Sequence, residues 1–320
     1  GLENTKAIQL NLDWVWPYWV VRQFDPDDPS FMPRAFSFSH VNLTHRNWTA
    51  VGLPDCPHYP IVDPRGLLTP LHDGWSIDCW LVSSSGEDLV PSRRLDVEQQ
   101  LELLPNLAVT TSTGSAARGL RTTARVRRQD LQFIARLDVE ATGDEADWLA
   151  VAVRPYNPEG VQFIDRLESL PEGGIRVNGS VDVRMDPPPR ALRFATYAQG
   201  DVFHRLPGDG AGEAAAVTCS VGMATGAALY PLGTHGQCHV QVEVPLGEPH
   251  SAPAHPVDWR EVHAGAARLD IPDAHMRFLF DAARTSLVLH SVDDIVPGPY
   301  TYRRFWFRDA CLIVHALLAA

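Results

Sequence analysis

Hydrophobic and polar positions alternate one for one through most of the first 247 residues. Leu131, Phe133, Ala135, Leu137 and Val139 alternate with Gln132, Ile134, Arg136, Asp138 and Glu140. Leu120, Thr122, Ala124 and Val126 alternate with Arg121, Thr123, Arg125 and Arg127, and Cys238, Val240, Val242 and Val244 with His239, Gln241 and Glu243. A period of two puts successive side chains on opposite faces of a strand, one buried and one wet. Antiparallel sheets with a solvated face read this way, whereas buried parallel strands are nearly all apolar. Turn residues separate the runs at Gly143–Asp144, Gly173–Gly174, Asn178–Gly179, Pro187–Pro189 and Gly208–Gly212. The pattern predicts a mainly β chain built on a large antiparallel β-sandwich. Val97 to Leu104 reads equally as a strand or a short helix, with Pro105 ending a helix there.

The period changes toward the C-terminus. Residues 248–272 read as a linker, with Pro249, Pro253 and Pro256 in a loop and a short helix over Trp259–Ala267. Beyond Ile271–Pro272, Met276, Leu279, Phe280, Ala283 and Leu287 fall on one helical face, and Asp273 stands at the N-cap. A Pro/Gly-rich loop follows over Asp293–Tyr302. A second helix opens near Asp309, with Leu312, Ile313, Ala316 and Leu317 along one face. Two amphipathic helices do not make a domain on their own. The expected organisation is therefore a β-sandwich domain over 1–247, a linker over 248–272, and the start of an incomplete helical domain over 273–320.

Composition narrows the function classes. The chain has 320 residues, is 45% hydrophobic and 21% charged, and carries a net charge of −12. This is globular usage, and the acidic balance disfavours nucleic acid and anionic membrane surfaces as partners. No stretch reaches the roughly 18 apolar residues of a membrane span. The start at Gly1 rather than Met points to removal of a leader. Cys56, Cys79, Cys219, Cys238 and Cys311 are widely spaced and odd in number. They read as buried free thiols in a reducing, cytoplasmic compartment.

Several candidate constellations resolve to structure. The glycine run at 208–212 lacks the helix a phosphate loop needs. His235, Cys238 and His239 do not share a face, so no metal is expected. Arg121, Arg125 and Arg127 should pair with Asp138 and Glu140 on the next strand. Asp25, Asp27 and Asp28, and Asp293 with Asp294, read as solvated loop acids. The sequons at Asn42, Asn47 and Asn178 carry no weight.

The exception is Tyr302-Arg303-Arg304-Phe305-Trp306-Phe307-Arg308-Asp309, where four aromatics adjoin an Arg–Asp pair at a loop-to-helix junction. Sugar C–H faces stack on aromatic rings, arginine offers a fork of donors, and an ionised aspartate accepts from two hydroxyls at once. The alternative is an N-capping Asp309, a structural Arg308 ion pair and core aromatics.

The succession Ile271-Pro272-Asp273, helix, Pro297-Gly298-Pro299-Tyr300, then Tyr302-x-x-x-Trp306-x-Arg308-Asp309-Ala310 resembles the entry into the (α/α)6 barrel of glucoamylase-like glycosidases. Their bacterial members carry an N-terminal β-supersandwich and a helical linker, the order read above. The resemblance implies a carbohydrate substrate for which Tyr302, Trp306, Arg308 and Asp309 line a subsite, and helices that pack on the sandwich. It implies no cofactor. It implies an inverting two-carboxylate hydrolysis of α-linked glucosides, with the acid and base on later barrel loops, so that no catalytic residue is expected in this chain and the chain alone is inactive. A disaccharide phosphorylase of the same superfamily and a non-catalytic carbohydrate-binding module are the alternatives.

Overall fold

The computed structural model describes residues 2–22, 27, 48–83, 86–206, 215–248, 257–300 and 302–320. The expectations for Asp25, Asp28, Asn42, Asn47, the 208–212 glycine run, Pro249, Pro253 and Pro256 lie outside them.

The protein is mainly β. Among the described residues, one antiparallel sheet holds seven strands in the order Thr49–Ala50, Ile61–Val62, Leu68–Thr69, Ser76–Val82, Trp148–Arg154, Thr225–Pro231, Ala191–Ala195. A second holds nine, in the order Ala216–Thr218, Arg166–Ser169, Gly174–Val177, Val181–Asp186, Gln237–Leu246, Gln132–Thr142, Gly119–Gln129, Ala108–Gly114, Val97–Glu102. The inward residues of both sheets, among them Ile77, Leu149, Val151, Leu137, Val139, Val240 and Val242, form one core cluster. Two large antiparallel sheets sharing a core are the expected sandwich.

The strand periods hold in the nine-stranded sheet. Leu120, Ala124, Val126, Phe133, Ala135, Leu137, Val139, Val240, Val242 and Val244 are buried. Leu131 departs from the pattern, because it lies in the Asp130–Leu131 turn and is exposed, while Ile134 is buried on the opposite face. Val97–Glu102 is an edge strand rather than a helix. Asn178 and Gly179, at φ 50° and 70°, make the tight turn that pairs Gly174–Val177 with Val181–Asp186.

The seven-stranded sheet is buried on both faces, which a strict alternation does not anticipate. All seven residues of Ser76–Val82 are buried. Its outer face packs Trp80, Ala150, Ala152, Ala227 and Leu229 against Val15 and Val202. The covering comes from Val15 of the N-terminal segment and from the turn around Val202; the N-terminal segment also holds helices α1 (Leu2–Leu10) and α2 (Tyr18–Arg22), neither foreseen from the sequence.

The last strand ends at Leu246. Helix α3 (Trp259–Ala264) is capped by Asp258, whose Oδ1 accepts from Glu261 N at 2.9 Å. Trp259 is fully buried and its indole N–H donates to the Gly52 carbonyl at 2.8 Å. Helix α4 (Ala274–Leu289) starts at Asp273 as expected, with Asp273 Oδ1 accepting from His275 N and Met276 N at 2.9 and 3.1 Å. Leu289 fits against Gly52, where an added Cβ would lie 2.6 Å from its Cδ1.

The face of α4 that docks differs from the apolar stripe read from the sequence. Arg284, Thr285 and Leu289 are buried, whereas Met276 and Leu279 are exposed. The reason is polar satisfaction: Arg284 Nη2 donates to His263 Nδ1 at 2.9 Å, and His263 Nε2 meets Thr285 Oγ1 at 2.9 Å. Helix α5 spans Phe307–Ala319 and opens two residues earlier than expected. Trp306, not Asp309, is its N-cap, and Leu312 is exposed while Ile313, Ala316 and Leu317 are half-buried. Among the described residues no helix is long and apolar enough to cross a membrane. All five cysteines are free, but Cys311 is exposed and Cys238 half-buried, against the expectation that they are all core residues.

Candidate functional site

The connection between α4 and α5 has two sides. Its inner side is fastened to the sandwich. Tyr300 is only 7% exposed, and its hydroxyl donates to Asp73 Oδ1 at 2.8 Å while accepting from Asn157 Nδ2. The ring sits between His72, at 5.4 Å, and Trp48, at 5.7 Å. Burial, reinforced by the Asp73 carboxylate, holds the Tyr300 phenol well above its ordinary range. Arg303 stacks on the Tyr59 ring at 4.2 Å and donates to the Pro57 carbonyl at 2.7 Å. His290, packed on the same Tyr59 ring, is pushed down to about 4 by burial and by the Arg303 charge.

The outer side carries the residues singled out in the sequence. Tyr302 is 57% and Trp306 37% exposed, and their rings lie 6.0 Å apart at 58°. Arg304 covers Trp306 at 4.7 Å from the ring centre. Phe305 and Phe307 are also exposed, unlike the core aromatics of the alternative reading. Arg308 Nη2 donates to Asp309 Oδ2 at 3.2 Å and to Oδ1 at 3.4 Å. The Arg308 side chain is 85% exposed and that of Asp309 30%. Asp309 lies in the first turn of α5, where the N–H groups of a helix start favour a carboxylate. The structure thus joins Tyr302 to Trp306 and Arg308 to Asp309, all on one solvent-facing stretch.

Sequence reasoning missed the sandwich residues that hold this stretch. Asp73 lies in a turn and Asn157 ends the two-residue strand Tyr156–Asn157, with no local pattern to mark either. The one available signal was Tyr300 itself, an aromatic two residues from Tyr302.

The other constellations are structural. Arg125 pairs with Asp138, Arg136 with Asp138 at 2.8 Å, and Arg127 with Glu243 at 2.8 Å. Arg121 stands opposite Glu140 in register. The Arg127 partner lies two strands away rather than on the neighbouring strand as expected, because the guanidinium reaches over the intervening row. Cys238 packs toward the core while His239 is half exposed beside Asp138. Among the described residues no group of three or more His, Cys, Asp or Glu side chains is arranged to hold a metal ion. Asp293 and Asp294 are exposed in the turn after α4.

No family model matches the chain, and no curated protein matches it. Among solved structures, it is similar to a bacterial glucoamylase complexed with acarbose, at 10% identity and a TM-score of 0.44, over 76% of this chain and 36% of that one. The chain therefore spans little more than a third of that protein's length.

Proposed function

We propose that Tyr302, Trp306, Arg308 and Asp309 form a carbohydrate subsite, and that the chain is the N-terminal portion of a glycoside hydrolase acting on α-linked glucosides. The observation that carries this reading is the open Tyr302–Trp306 ring pair beside a solvent-facing Arg308–Asp309 pair. Exposed rings accept the C–H face of a pyranose, and on Trp306 the Arg304 guanidinium already lies over one face. The Asp309 carboxylate accepts from two vicinal hydroxyls, and the Arg308 fork donates to ring-substituent oxygens. In this reading the sandwich occupies 1–247, the linker 248–272, and the helical domain begins at 273. Its free thiols support the reading of a reducing, cytoplasmic compartment.

The reaction proposed for the whole enzyme is inversion. One carboxylic acid protonates the leaving oxygen while a carboxylate about 6.5–9.5 Å away activates water. The residues named above bind and orient the sugar and move no proton. Isothermal titration of the chain with maltotriose, with lactose as the β-linked control, tests the reading. Maltotriose should bind, and Tyr302→Ala and Asp309→Asn should each weaken it. Equal affinity for both sugars, or for both variants and the parent, overturns it.

A further inference from the structure

The outer residues of the 291–306 connection have little backbone support of their own. Among the described residues the segment's backbone hydrogen bonds are few: Ser291 N to Val288 O, Val296 N to His290 O, Arg303 N to Tyr300 O, Arg304 N to Tyr302 O, and Ala310 N to Trp306 O where helix α5 begins. What fixes it in space is side-chain contact with the sandwich. Tyr300 supplies the best-defined of these contacts. Its phenol oxygen is held from two sides by groups that are themselves held. Asn157 is fully buried; its Nδ2 also donates to the Gly74 carbonyl at 2.9 Å, and its Oδ1 accepts from Glu159 N at 2.8 Å and Gly160 N at 3.2 Å. Asp73 Oδ1 accepts a second hydrogen bond from Gln162 Nε2 at 2.8 Å. The anchor is therefore preorganised by the sandwich before the connection docks on it.

We propose that Asp73 and Asn157, acting through the Tyr300 hydroxyl, are positioning residues for the Tyr302–Trp306 platform, so that the sandwich sets the platform's affinity without touching its ligand. This rests on the carbohydrate reading of that platform. The physical basis is that Tyr302 lies two residues from the anchor and Trp306 six, joined by Arg303, which faces inward onto Tyr59. Releasing the hydroxyl removes one of the side-chain fastenings named above and lets the rings sample orientations that do not bind. Apparent affinity then falls in proportion to the fraction of chains in the competent arrangement.

Three variants of the full 320-residue chain test this. Tyr300→Phe keeps the ring and removes the hydroxyl. Asp73→Gly removes the acceptor, and glycine suits the φ of 52° found at that position. Asp73→Asn keeps an acceptor oxygen at the same place and also tolerates that backbone. The measurements are maltotriose affinity, melting temperature, and amide exchange of Arg303 and Arg304. Tyr300→Phe and Asp73→Gly should speed exchange at both amides and weaken maltotriose by about tenfold, the effect of losing one hydrogen bond to a charged group. Asp73→Asn, whose neutral oxygen makes a weaker hydrogen bond, should bring both readouts most of the way back toward the parent values. Should Tyr300→Phe not fold, Asp73→Gly against Asp73→Asn gives the same contrast. If the parent binds maltotriose and all three variants bind it equally, the proposal is overturned. If the parent binds no sugar, the carbohydrate reading fails, and exchange alone decides. Faster exchange in Tyr300→Phe and Asp73→Gly than in Asp73→Asn sustains the anchor, and unchanged exchange in all three overturns it.

Discussion

Arg154 and Asp201 face each other as a fully enclosed ion pair on the outer face of the seven-stranded sheet, both with no exposed side-chain surface. Arg154 Nη1 donates to Asp201 Oδ1 at 2.6 Å, and its Nη2 to Asp201 Oδ2 and, at 3.1 Å, to the Val15 carbonyl. Val15 N donates to Asp201 Oδ2 at 2.8 Å. The guanidinium lies 5.0 Å from the Trp80 ring centre. The pair thus takes up both backbone groups of Val15 and pins the N-terminal covering to the sheet. Burial alone would raise the Asp201 carboxyl. The Arg154 charge and hydrogen bonds, with the backbone N–H groups of Val15 and Phe203, outweigh it and hold the carboxyl below the usual range.

Removing one partner should therefore cost far more than the pair itself contributes. Asp201→Ala leaves a buried guanidinium without its counter-charge, a loss of about 3–5 kcal/mol. Urea unfolding should show it as a lower midpoint, and limited proteolysis should cut near Trp14–Trp16 sooner. A midpoint unchanged from the parent would mean that the covering is held by its apolar contacts alone.

Two buried acids, Asp63 and Asp78, contribute to the response to pH. Burial pushes Asp63 up to about 7 and Asp78 up to about 6, from an ordinary value of 3.8. Asp63 Oδ1 accepts from Arg65 N and Leu67 N, but its Oδ2 has no hydrogen-bond partner among the described residues. Between pH 4 and pH 7 these two groups hold protons in the folded chain that the unfolded chain has released, so their contribution to stability falls as pH rises through that window, while His290, pushed down to about 4, contributes in the opposite sense below its ordinary value of 6.5. The slope is at most about 1.4 kcal/mol per pH unit for each group. Asp201 acts in the opposite sense, and only below its ordinary value. Asp63→Asn keeps the Oδ1 acceptor and should raise stability at pH 8 while flattening the slope. Melting temperatures of parent and variant at pH 5 and pH 8 check this; a parallel pH dependence in both would exclude Asp63 as its source.

Helix α4 offers a smaller and cleaner test. Asp273 satisfies two of the N–H groups that the helix start leaves open. Asp273→Ala should cost about 1 kcal/mol and Asp273→Ser much less. Chemical denaturation of the two variants together separates loss of the cap from loss of charge.

The residues that made the fold legible in the sequence are those whose partners are local or periodic. Val240, Val242 and Val244 announce a strand because alternation is a property of a single strand. Asp273 announces a helix start because its acceptor serves N–H groups two and three residues on. The N-terminal covering gives no such sign. Asp201 meets Val15 across 186 positions, and only the folded sheet brings them together. The same holds at the candidate site. Tyr302 to Asp309 stand out as a contiguous aromatic and charged run, but Tyr300 meets Asp73 across 227 positions. Amphipathicity misled on α4 because it counts apolar residues, whereas the docked face is decided by where Arg284 finds His263 and Asp281.

Asp309 separates the binding reading from a structural one. It is not the N-cap of α5, so its structural contributions are two: a carboxylate in the first turn, and an exposed contact with Arg308. The first is worth about 0.3–1 kcal/mol and the second, as an exposed pair, about 0–1 kcal/mol. Asp309→Asn keeps the shape and removes the charge. If the carboxylate receives sugar hydroxyls, the variant loses hydrogen bonds to a charged acceptor, each worth about 1.5–3 kcal/mol, and maltotriose affinity should fall about 10- to 150-fold. The melting temperature should move by no more than a few degrees. A structural Asp309 gives the reverse, a lowered melting temperature with affinity intact. Asp309→Glu refines the outcome, since it restores the charge to the helix start but moves the carboxylate one methylene outward. Full stability with weakened binding in that variant would locate the requirement in the position of the oxygens rather than in the charge.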